Sequence, residues 1–410
     1  MAIIVQKFGG TSVANLDCMR KVQTKVEKAL ADGYKVVVVL SAMAGETNRL
    51  IDLAKEWSTA PDPAEMDSLV STGEQVSVAL FSMLLKDAGI KARSILGFQA
   101  EITTDKKYGR ARILDINADN MKRQLEDHDV LVVAGFQGCD DQRRITTLGR
   151  GGSDTSAVAL AVAVGADLCE IFTDVDGVYT TDPNIVSRAK KIPKISYDEM
   201  LEMSSMGAKV LQIRSVEFAK KYNMTVHVRS TFSDCPGTYV TQEDESMEAV
   251  LVSGIAYDKD QARVTLLDVD DRPGVASSLF SPLADAGIIV DMIIQNTSRD
   301  GEKTDMTFTV PRADLDQTIK IIDEIKETLG TRQTLYDERV SKVSVIGVGM
   351  RSHSGVASRM FQALKAEGIN ILMISTSEIK VTCLIEEKYT ELAVRTLHES
   401  FELEKEGMKC

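Results

Sequence analysis

Three short stretches of this chain gather the residue types that handle phosphate. The first, Lys7-Phe8-Gly9-Gly10-Thr11-Ser12, ends an apolar strand-like run that begins at Ile3, and a helical pattern follows it. Glycines let backbone N–H groups approach an anion closely, and the N-terminus of the next helix adds favourable partial charge. Lys7 places an ammonium where phosphate oxygens would gather. No Gly-x-x-x-x-Gly-Lys-Ser/Thr occurs in the chain, so this is not the Walker loop, and a Gly-Gly after a strand is by itself equally a bare turn. The second stretch, Thr146-Thr147-Leu148-Gly149-Arg150-Gly151-Gly152-Ser153-Asp154-Thr155, opens an Ala/Val-rich helix with Ser153 as a natural N-cap. Arg150 offers a bidentate grip on a carboxylate or phosphate. A dinucleotide loop is the competing reading, but Asp154 stands where the last glycine belongs and would repel a pyrophosphate. The third, Phe172 to Pro183, is rich in acids and turn residues. Its spacing does not match an EF-hand. Its carboxylates and hydroxyls suit a base, a ribose or the water shell of Mg²⁺, with a plain surface turn as the alternative. Two further groups stand out. Ser41 to Thr47 follows a strand, where α/β proteins bind ligands. Glu74 lies beside Thr72-Gly73 in an otherwise apolar-periodic helix, either solvated or placed to accept an ammonium.

The elements that position these residues follow from periodicity. Ile3–Phe8, Val36–Leu40, Val130–Phe136, Glu170–Thr173 and Val226–Arg229 read as strands; Met19, Val22, Val26 and Leu30, and then Met66, Val70, Val76, Leu80 and Leu84, recur at helical spacing. Strands apolar on both faces and separated by helices indicate an α/β layer architecture with a largely parallel sheet. At 410 residues the chain is long enough for two or three domains. A polar run, Thr241 to Ser246, reads as a linker. Beyond it the sequence repeats: Arg272-Pro273-Gly274-Val275-Ala276-Ser277 matches His353-Ser354-Gly355-Val356-Ala357-Ser358, and the same spacing pairs Phe280 with Phe361, Leu283 with Leu364 and Gly287 with Gly368. Two copies of a small βα-type module are therefore expected.

Composition narrows the function classes. The net charge of −13, with no dense basic run, argues against a nucleic-acid binder. No apolar stretch approaches the roughly 20 residues of a membrane helix, so no membrane association is expected. Six scattered cysteines without a Cys-x-x-Cys pair read as free thiols of a reducing cytoplasm, and with four separated histidines no zinc or other protein-held metal centre is expected.

Taken together, Val5 to Val13, Leu148 to Thr155 and Thr173 to Thr180 resemble the signatures of the aspartate kinases within the amino-acid kinase family. The C-terminal repeat resembles paired ACT domains, which are amino-acid-sensing modules, so the resemblance spans essentially the whole chain. It implies an amino-acid-kinase-type α/β sandwich with a largely parallel central sheet over residues 1–245. Two ferredoxin-like βαββαβ modules would follow, at 246–340 with the linker and at 341–410. The implied reaction is ATP with L-aspartate, assisted by Mg²⁺, giving ADP and 4-phospho-L-aspartate, the committed step toward lysine, threonine, methionine and diaminopimelate. By motif position Lys7, Phe8, Gly9, Gly10, Thr173, Asp174, Tyr179, Asp182 and Lys209 would contact ATP. Ser41, Thr47, Glu74, Arg150, Gly151, Gly152 and Ser153 would hold aspartate. Lys7, Asp154 and Lys209 would form the catalytic set, with Asp154 organising the lysines rather than acting as a base. The chemistry agrees: a side-chain carboxylate is already an anionic nucleophile at neutral pH, so catalysis reduces to positioning and to neutralising repulsion between two anions.

For the repeat, the resemblance implies an effector site for lysine, threonine or both. It would draw on Asp271, Gly274, Ala276, Gln295 and Asn296 in the first copy, and on Val356, Ala357, Asn370, Ile371, Ser377 and Glu378 in the second. The modules would also mediate self-association, as a homodimer or as an α₂β₂ assembly whose β chain starts near Met247. Dimerisation alone is the other reading of the modules. Among alternative functions, glutamate, acetylglutamate or a nucleoside monophosphate could replace aspartate, and a non-catalytic amino-acid-binding regulator would keep the repeat without needing Lys7, Arg150 and Asp154 together. A fusion with homoserine dehydrogenase is disfavoured, because no residues remain for it after the repeat.

Overall fold

A computed structural model of the chain describes residues 2–206, 210–248, 250–297 and 303–405. Its contacts divide into two compact units, one built on residues 2–179 and 190–248, the other on 180–189 and 250–405.

The first unit is organised by an eight-stranded sheet in the order Lys194–Ser196, Thr238–Thr241, Val226–Ser230, Leu168–Thr173, Ile3–Phe8, Lys35–Leu40, Val130–Ala134, Ala92–Ile95. Every pairing is parallel except that of Val226–Ser230 with Thr238–Thr241. All six residues of Ile3–Phe8 and all five of Val130–Ala134 are buried, as expected of strands covered on both faces. On one face Met19, Val22 and Val26 of the helix Leu16–Ala31 and Val78, Phe81 and Leu85 of the helix Thr72–Asp87 pack on Ile4, Phe8, Val36, Val38 and Leu40. The helix Gly152–Val164 is buried along nearly its whole length, which explains its lack of any polar stripe. A four-stranded sheet, Ile113–Ile116, Ile102–Thr104, Gln137–Cys139, Ile145–Thr147, flanks the main one.

Several expectations from periodicity need correction. The pattern from Met66 to Leu84 is not one helix but two, Pro63–Val70 and Thr72–Asp87, joined at Ser71. Val76 and Leu80 are 48% and 45% exposed, while Glu74, Ser77, Val78 and Phe81 face inward. In a helix apolar nearly all round, periodicity does not say which face is buried. The combined stretch Pro63–Asp87 is also apolar and long enough to cross a membrane by length and composition, contrary to expectation, yet half of it is buried within the protein. The strand from Val130 stops at Ala134, because Phe136, at φ 68°, turns the chain into the flanking sheet. Ser153 is not an N-cap: Gly151, at φ 71°, occupies that position and Ser153 sits inside the first turn. Cys18, Cys139, Cys169 and Cys383 are free thiols, whereas Cys235 is disulfide-bonded.

The second unit is a six-stranded antiparallel sheet in the order Asp291–Thr297, Lys303–Pro311, Gly254–Asp270, Gln333–Ile346, Lys380–Glu386, Met373–Thr376. The two long central strands pair with each other, so both copies of the repeat share one sheet. The helices Val275–Asp285 and Val356–Ala366 each begin after a left-handed glycine, Gly274 at φ 93° and Gly355 at φ 102°, as the repeat anticipates. Leu279, Leu283, Phe308 and Ile322 centre one core; Met360, Leu364, Val394 and Leu397 centre the other. Residues 180–189, expected with the first domain, belong to this unit. Ile185 and Val186 pack on the second core, Ile255 N–H donates to Thr180 O at 2.7 Å, and the Thr180 hydroxyl meets His398 Nε2 at 2.9 Å. These partners lie 70 to 220 positions away in sequence, beyond the reach of local pattern.

Candidate active site

The strand Ile3–Phe8 ends at the edge of the sheet from which the ligand-side loops emerge. Lys7 lies in register with Val39 on one neighbour and Ile171 on the other. The Phe8 ring stacks on Phe172 at 4.6 Å, and Gly9 N–H donates to Phe172 O at 3.4 Å. A Cβ on Gly10 would stand 2.8 Å from Ala42 O, so only glycine allows this loop to touch the one that follows Lys35–Leu40. The Ser12 and Thr231 hydroxyls close the turn at 2.7 Å. Lys7 Nζ reaches across the sheet to Asp154 Oδ1 at 2.6 Å, with both side chains about nine-tenths buried. An ammonium kept close by a buried carboxylate stands beside the cavity before any phosphate arrives, which lowers the reorganisation needed to meet one.

Glu74 owes its position to Gly73, whose missing side chain lets Ala42 approach; a Cβ there would stand 2.8 Å from that of Ala42. Ala42 N–H then donates to Glu74 Oε1 at 3.0 Å, while Oε2 has no partner among the described residues. Glu74 is 3% exposed. Burial pushes its carboxyl from an ordinary 4.5 up to about 7, and the Ala42 N–H offsets this only in part. A buried carboxylate left half-satisfied beside a cavity is a functional arrangement more than a stabilising one.

The glycine loop 146–152 is braced from beneath. Asp67, 1% exposed on the helix Pro63–Val70, accepts Gly109 N–H at 2.9 Å, Thr147 N–H at 2.8 Å and the Thr147 hydroxyl at 2.7 Å. Arg214 donates to Leu148 O at 2.6 Å and to Ala111 O at 2.9 Å. Gly149 and Gly151 take φ 78° and 71°, conformations that swing Arg150 out to the rim and set the N-terminus of Gly152–Val164 facing inward.

These pieces enclose a cavity of about 360 Å³ lined by Lys7, Gly10, Ser41, Ala42, Met43, Ala44, Gly45, Thr47, Asn48, Glu74, Phe136, Gly149, Arg150, Gly151, Gly152, Ser153, Asp154 and Gln212. All the residues expected to hold aspartate, namely Ser41, Thr47, Glu74, Arg150, Gly151, Gly152 and Ser153, are among them. Sequence reasoning missed Asn48, Phe136 and Gln212; their types carry no signal, and Phe136 and Gln212 are marked only by their close approaches to Gly152 and Gly151.

The residues expected to contact ATP are only partly gathered here. Lys7 and Gly10 line the cavity. Thr173 ends the strand beside Ile3–Phe8 and Asp174 follows it, the Thr173 hydroxyl donating to Asp174 Oδ1 at 3.0 Å. Tyr179 is bridged to Lys191, and burial raises its phenol above its usual range. Asp182 lies elsewhere: its carboxylate takes the Tyr257 hydroxyl at 2.9 Å and the Asn184 amide within the second unit. Lys209 lies outside the described residues.

In the second unit the expected effector residues do not meet. Gln295 and Asn296 lie on one edge strand, Asp291–Thr297, whereas Asn370, Ile371, Ser377 and Glu378 flank the other, Met373–Thr376. With four strands between the edges, the separation is roughly 24 Å. Glu378 is paired with Arg351 at 3.6 Å, and Ile371 and Ala357 pack against the core beside buried Val356. Asp271, Gly274 and Ala276 stay together at the start of Val275–Asp285.

Residues 2–230 match the amino acid kinase family, and residues 263–327 and 343–401 each match the ACT domain. An aspartate kinase of Stutzerimonas stutzeri is 54% identical over 405 residues, covering 98% of both chains. The chain belongs to the aspartate kinases of the amino acid kinase family. As an aspartate kinase it is a phosphotransferase that uses a nucleotide, and its second unit is a tandem of ACT domains. The aspartokinase of Helicobacter pylori, strain 26695, is 51% identical over 407 residues, covering 98% of this chain and 100% of its own. Among solved structures, E. coli aspartokinase III in complex with aspartate and ADP has a TM-score of 0.83 at 29% identity, covering 97% of this chain and 99% of its own.

Proposed function

We propose that this aspartate kinase transfers the γ-phosphate of ATP to the side-chain carboxylate of L-aspartate, giving 4-phospho-L-aspartate as the first step toward lysine, threonine and methionine in the cytoplasm. The observation that carries this reading is the meeting of Lys7, Glu74 and Arg150 around one cavity of about 360 Å³. Aspartate bears three charges, and the wall offers a complement to each. Glu74 Oε2 takes the ammonium, Arg150 takes the α-carboxylate, and Lys7 stands by the side-chain carboxylate that attacks phosphorus. The E. coli relative's complex with aspartate and ADP supports the same ligand pair.

In this reading no general base is required. ATP enters as its Mg²⁺ chelate, with its phosphates against Phe8, Gly9 and Gly10 and its nucleoside toward Thr173, Asp174 and Tyr179; Lys209 completes that set, whereas Asp182, bonded within the second unit, is not part of it. Lys7, locked by Asp154 at 2.6 Å, lets two anions approach, and the N-terminus of Gly152–Val164 adds partial positive charge as the phosphoryl group passes. Hydroxylamine trapping of the acyl phosphate tests the assignment. A hydroxamate is expected from aspartate with ATP and not from glutamate; its absence with both acids would leave only a regulatory binding protein.

The ACT unit is proposed to confer feedback inhibition by lysine, threonine or both, with a coupling free energy of about 1–3 kcal/mol to the catalytic site. A complex of E. coli aspartokinase III with lysine and aspartate supports lysine as one effector. The domains are proposed to run 1–245, apart from residues 180–189 that pack with the second unit, then 246–340 and 341–410. Because the two halves of the effector set lie on opposite sheet edges, a complete site would join edges of two chains, as a homodimer or as α₂β₂ with a β chain starting near Met247. Sedimentation with and without lysine and threonine, alongside inhibition assays, tests both points; a monomer insensitive to both amino acids refutes them.

A further inference from the structure

Gln212 lines the cavity and stands at the N-cap of the helix Ile213–Tyr222. Short N-cap side chains such as Ser, Thr, Asp and Asn close onto the backbone of their own first turn; the longer glutamine is free to reach elsewhere. Gln212 makes no side-chain cap bond, and only its carbonyl serves the turn, accepting from Ser215 N–H at 3.0 Å. Its stem is instead laid flat over Gly151. A Cβ built on Gly151 would stand 1.7 Å from Gln212 Cγ and 2.4 Å from Cδ. The glycine thus serves two ends, a left-handed turn at φ 71° and room for this side chain. Arg214, two residues further on, pins the same turn to the same loop through Leu148 O and Ala111 O. The amide is therefore fixed on the residue next to Arg150, and it has no hydrogen-bond partner among the described residues.

An amide held by packing, aimed into a substrate cavity and left without a partner is poised for a ligand. We infer that Gln212 is a specificity-determining residue, whose Nε2 donates to the same substrate carboxylate that Arg150 grips. The inference rests on the assignment of Arg150 to the α-carboxylate of aspartate. A guanidinium alone attracts any anion; the added amide demands a planar oxygen beside it. The pair discriminates a carboxylate from a carboxamide at that position while leaving the reacting carboxylate, at the Lys7 end, untouched.

The test compares L-aspartate with L-isoasparagine, its α-amide, which keeps the side-chain carboxylate and the ammonium. Gln212→Ala and Gln212→Glu are assayed in the full-length enzyme with saturating ATP, with Arg150→Ala alongside. Gln212→Ala is expected to raise KM for aspartate roughly ten- to a hundredfold, the worth of a hydrogen bond to a charged group. Its kcat and KM for ATP should hold within about twofold, because neither ATP nor the attacking oxygen is touched. Gln212→Glu, of equal size but anionic, should weaken aspartate further and shrink the preference for aspartate over isoasparagine, since its carboxylate accepts the amide N–H. A variant in which Gln212 acted only as packing would change kcat and both KM values together and leave the aspartate-to-isoasparagine ratio where it was; that result overturns the inference. If Arg150→Ala leaves KM for aspartate unchanged, the underlying placement of aspartate fails instead.

Discussion

Replacing Glu74 by glutamine should improve stability and impair function, and the pH dependence of each follows from one buried group. Glu74 is 3% exposed and has one oxygen without a partner among the described residues, and burial pushes its carboxyl up to about 7 against an ordinary 4.5. A folded value above the unfolded one means that the group's contribution is present at low pH and is lost as pH rises through about 7. The difference between 4.5 and about 7 corresponds to roughly 3 kcal/mol at pH 8. Glutamine keeps the acceptor for Ala42 N–H and carries no charge. Glu74→Gln should therefore raise Tm of the first unit by roughly 5–10 °C at pH 8 and change it little at pH 5. Substrate binding should show the converse. An ammonium needs the ionised form, so kcat/KM for aspartate in the unaltered enzyme should fall about tenfold from pH 8 to pH 6, while KM for ATP stays level. In Glu74→Gln that slope should vanish, with KM for aspartate raised at every pH. Scanning calorimetry at the two pH values and steady-state kinetics across them decide the matter. An equal Tm change at pH 5 and pH 8, or a retained pH slope in the variant, would refute the argument that an unpaired buried carboxylate is kept here for its ligand.

Other perturbations read other parts of the site. Lys7→Ala should lower kcat by roughly 10²–10³, the scale of losing one transition-state donor, with the fold intact by circular dichroism; near-normal turnover would remove Lys7 from the chemistry. Asp67→Ala strips the acceptor from Gly109 and Thr147 and leaves the buried Thr147 N–H and hydroxyl without their partner, so roughly 3 kcal/mol of stability should disappear and KM for aspartate should rise as the glycine loop loosens; denaturant titration and kinetics check the two parts separately. Gly151→Ala combines a left-handed φ with a side chain driven into Gln212, and aspartate binding should be abolished at ordinary concentrations; calorimetric titration with aspartate measures it.

Much of the first unit was legible because its signals are local. The run Ile3–Phe8, the glycine loop 146–152 and the acidic loop after Thr173 carry their chemistry in residue type and spacing, and the 81-residue repeat declares two related modules. The buried face of the helix Thr72–Asp87 was not legible, since apolar residues on several sides leave the inward face ambiguous and the polar Glu74 is turned inward where Val76 would have been guessed. Nor was the membership of residues 180–189, whose bonds to Ile255, Tyr257 and His398 span long sequence separations.

What the sequence determined by itself is the set of groups: a lysine, an arginine, acidic side chains and three loops with glycines where backbone must approach an anion. Tertiary structure alone decided their relations. Parallel register set Lys7 between Val39 and Ile171 and so brought it to Asp154. The contact of Gly73 with Ala42 buried Glu74 and moved its titration to about 7. The packing of Gln212 on Gly151 added a wall that no motif announces. Residue type fixes what a group can do, but charge state and neighbours depend on burial and distance, and these exist only after distant strands have paired.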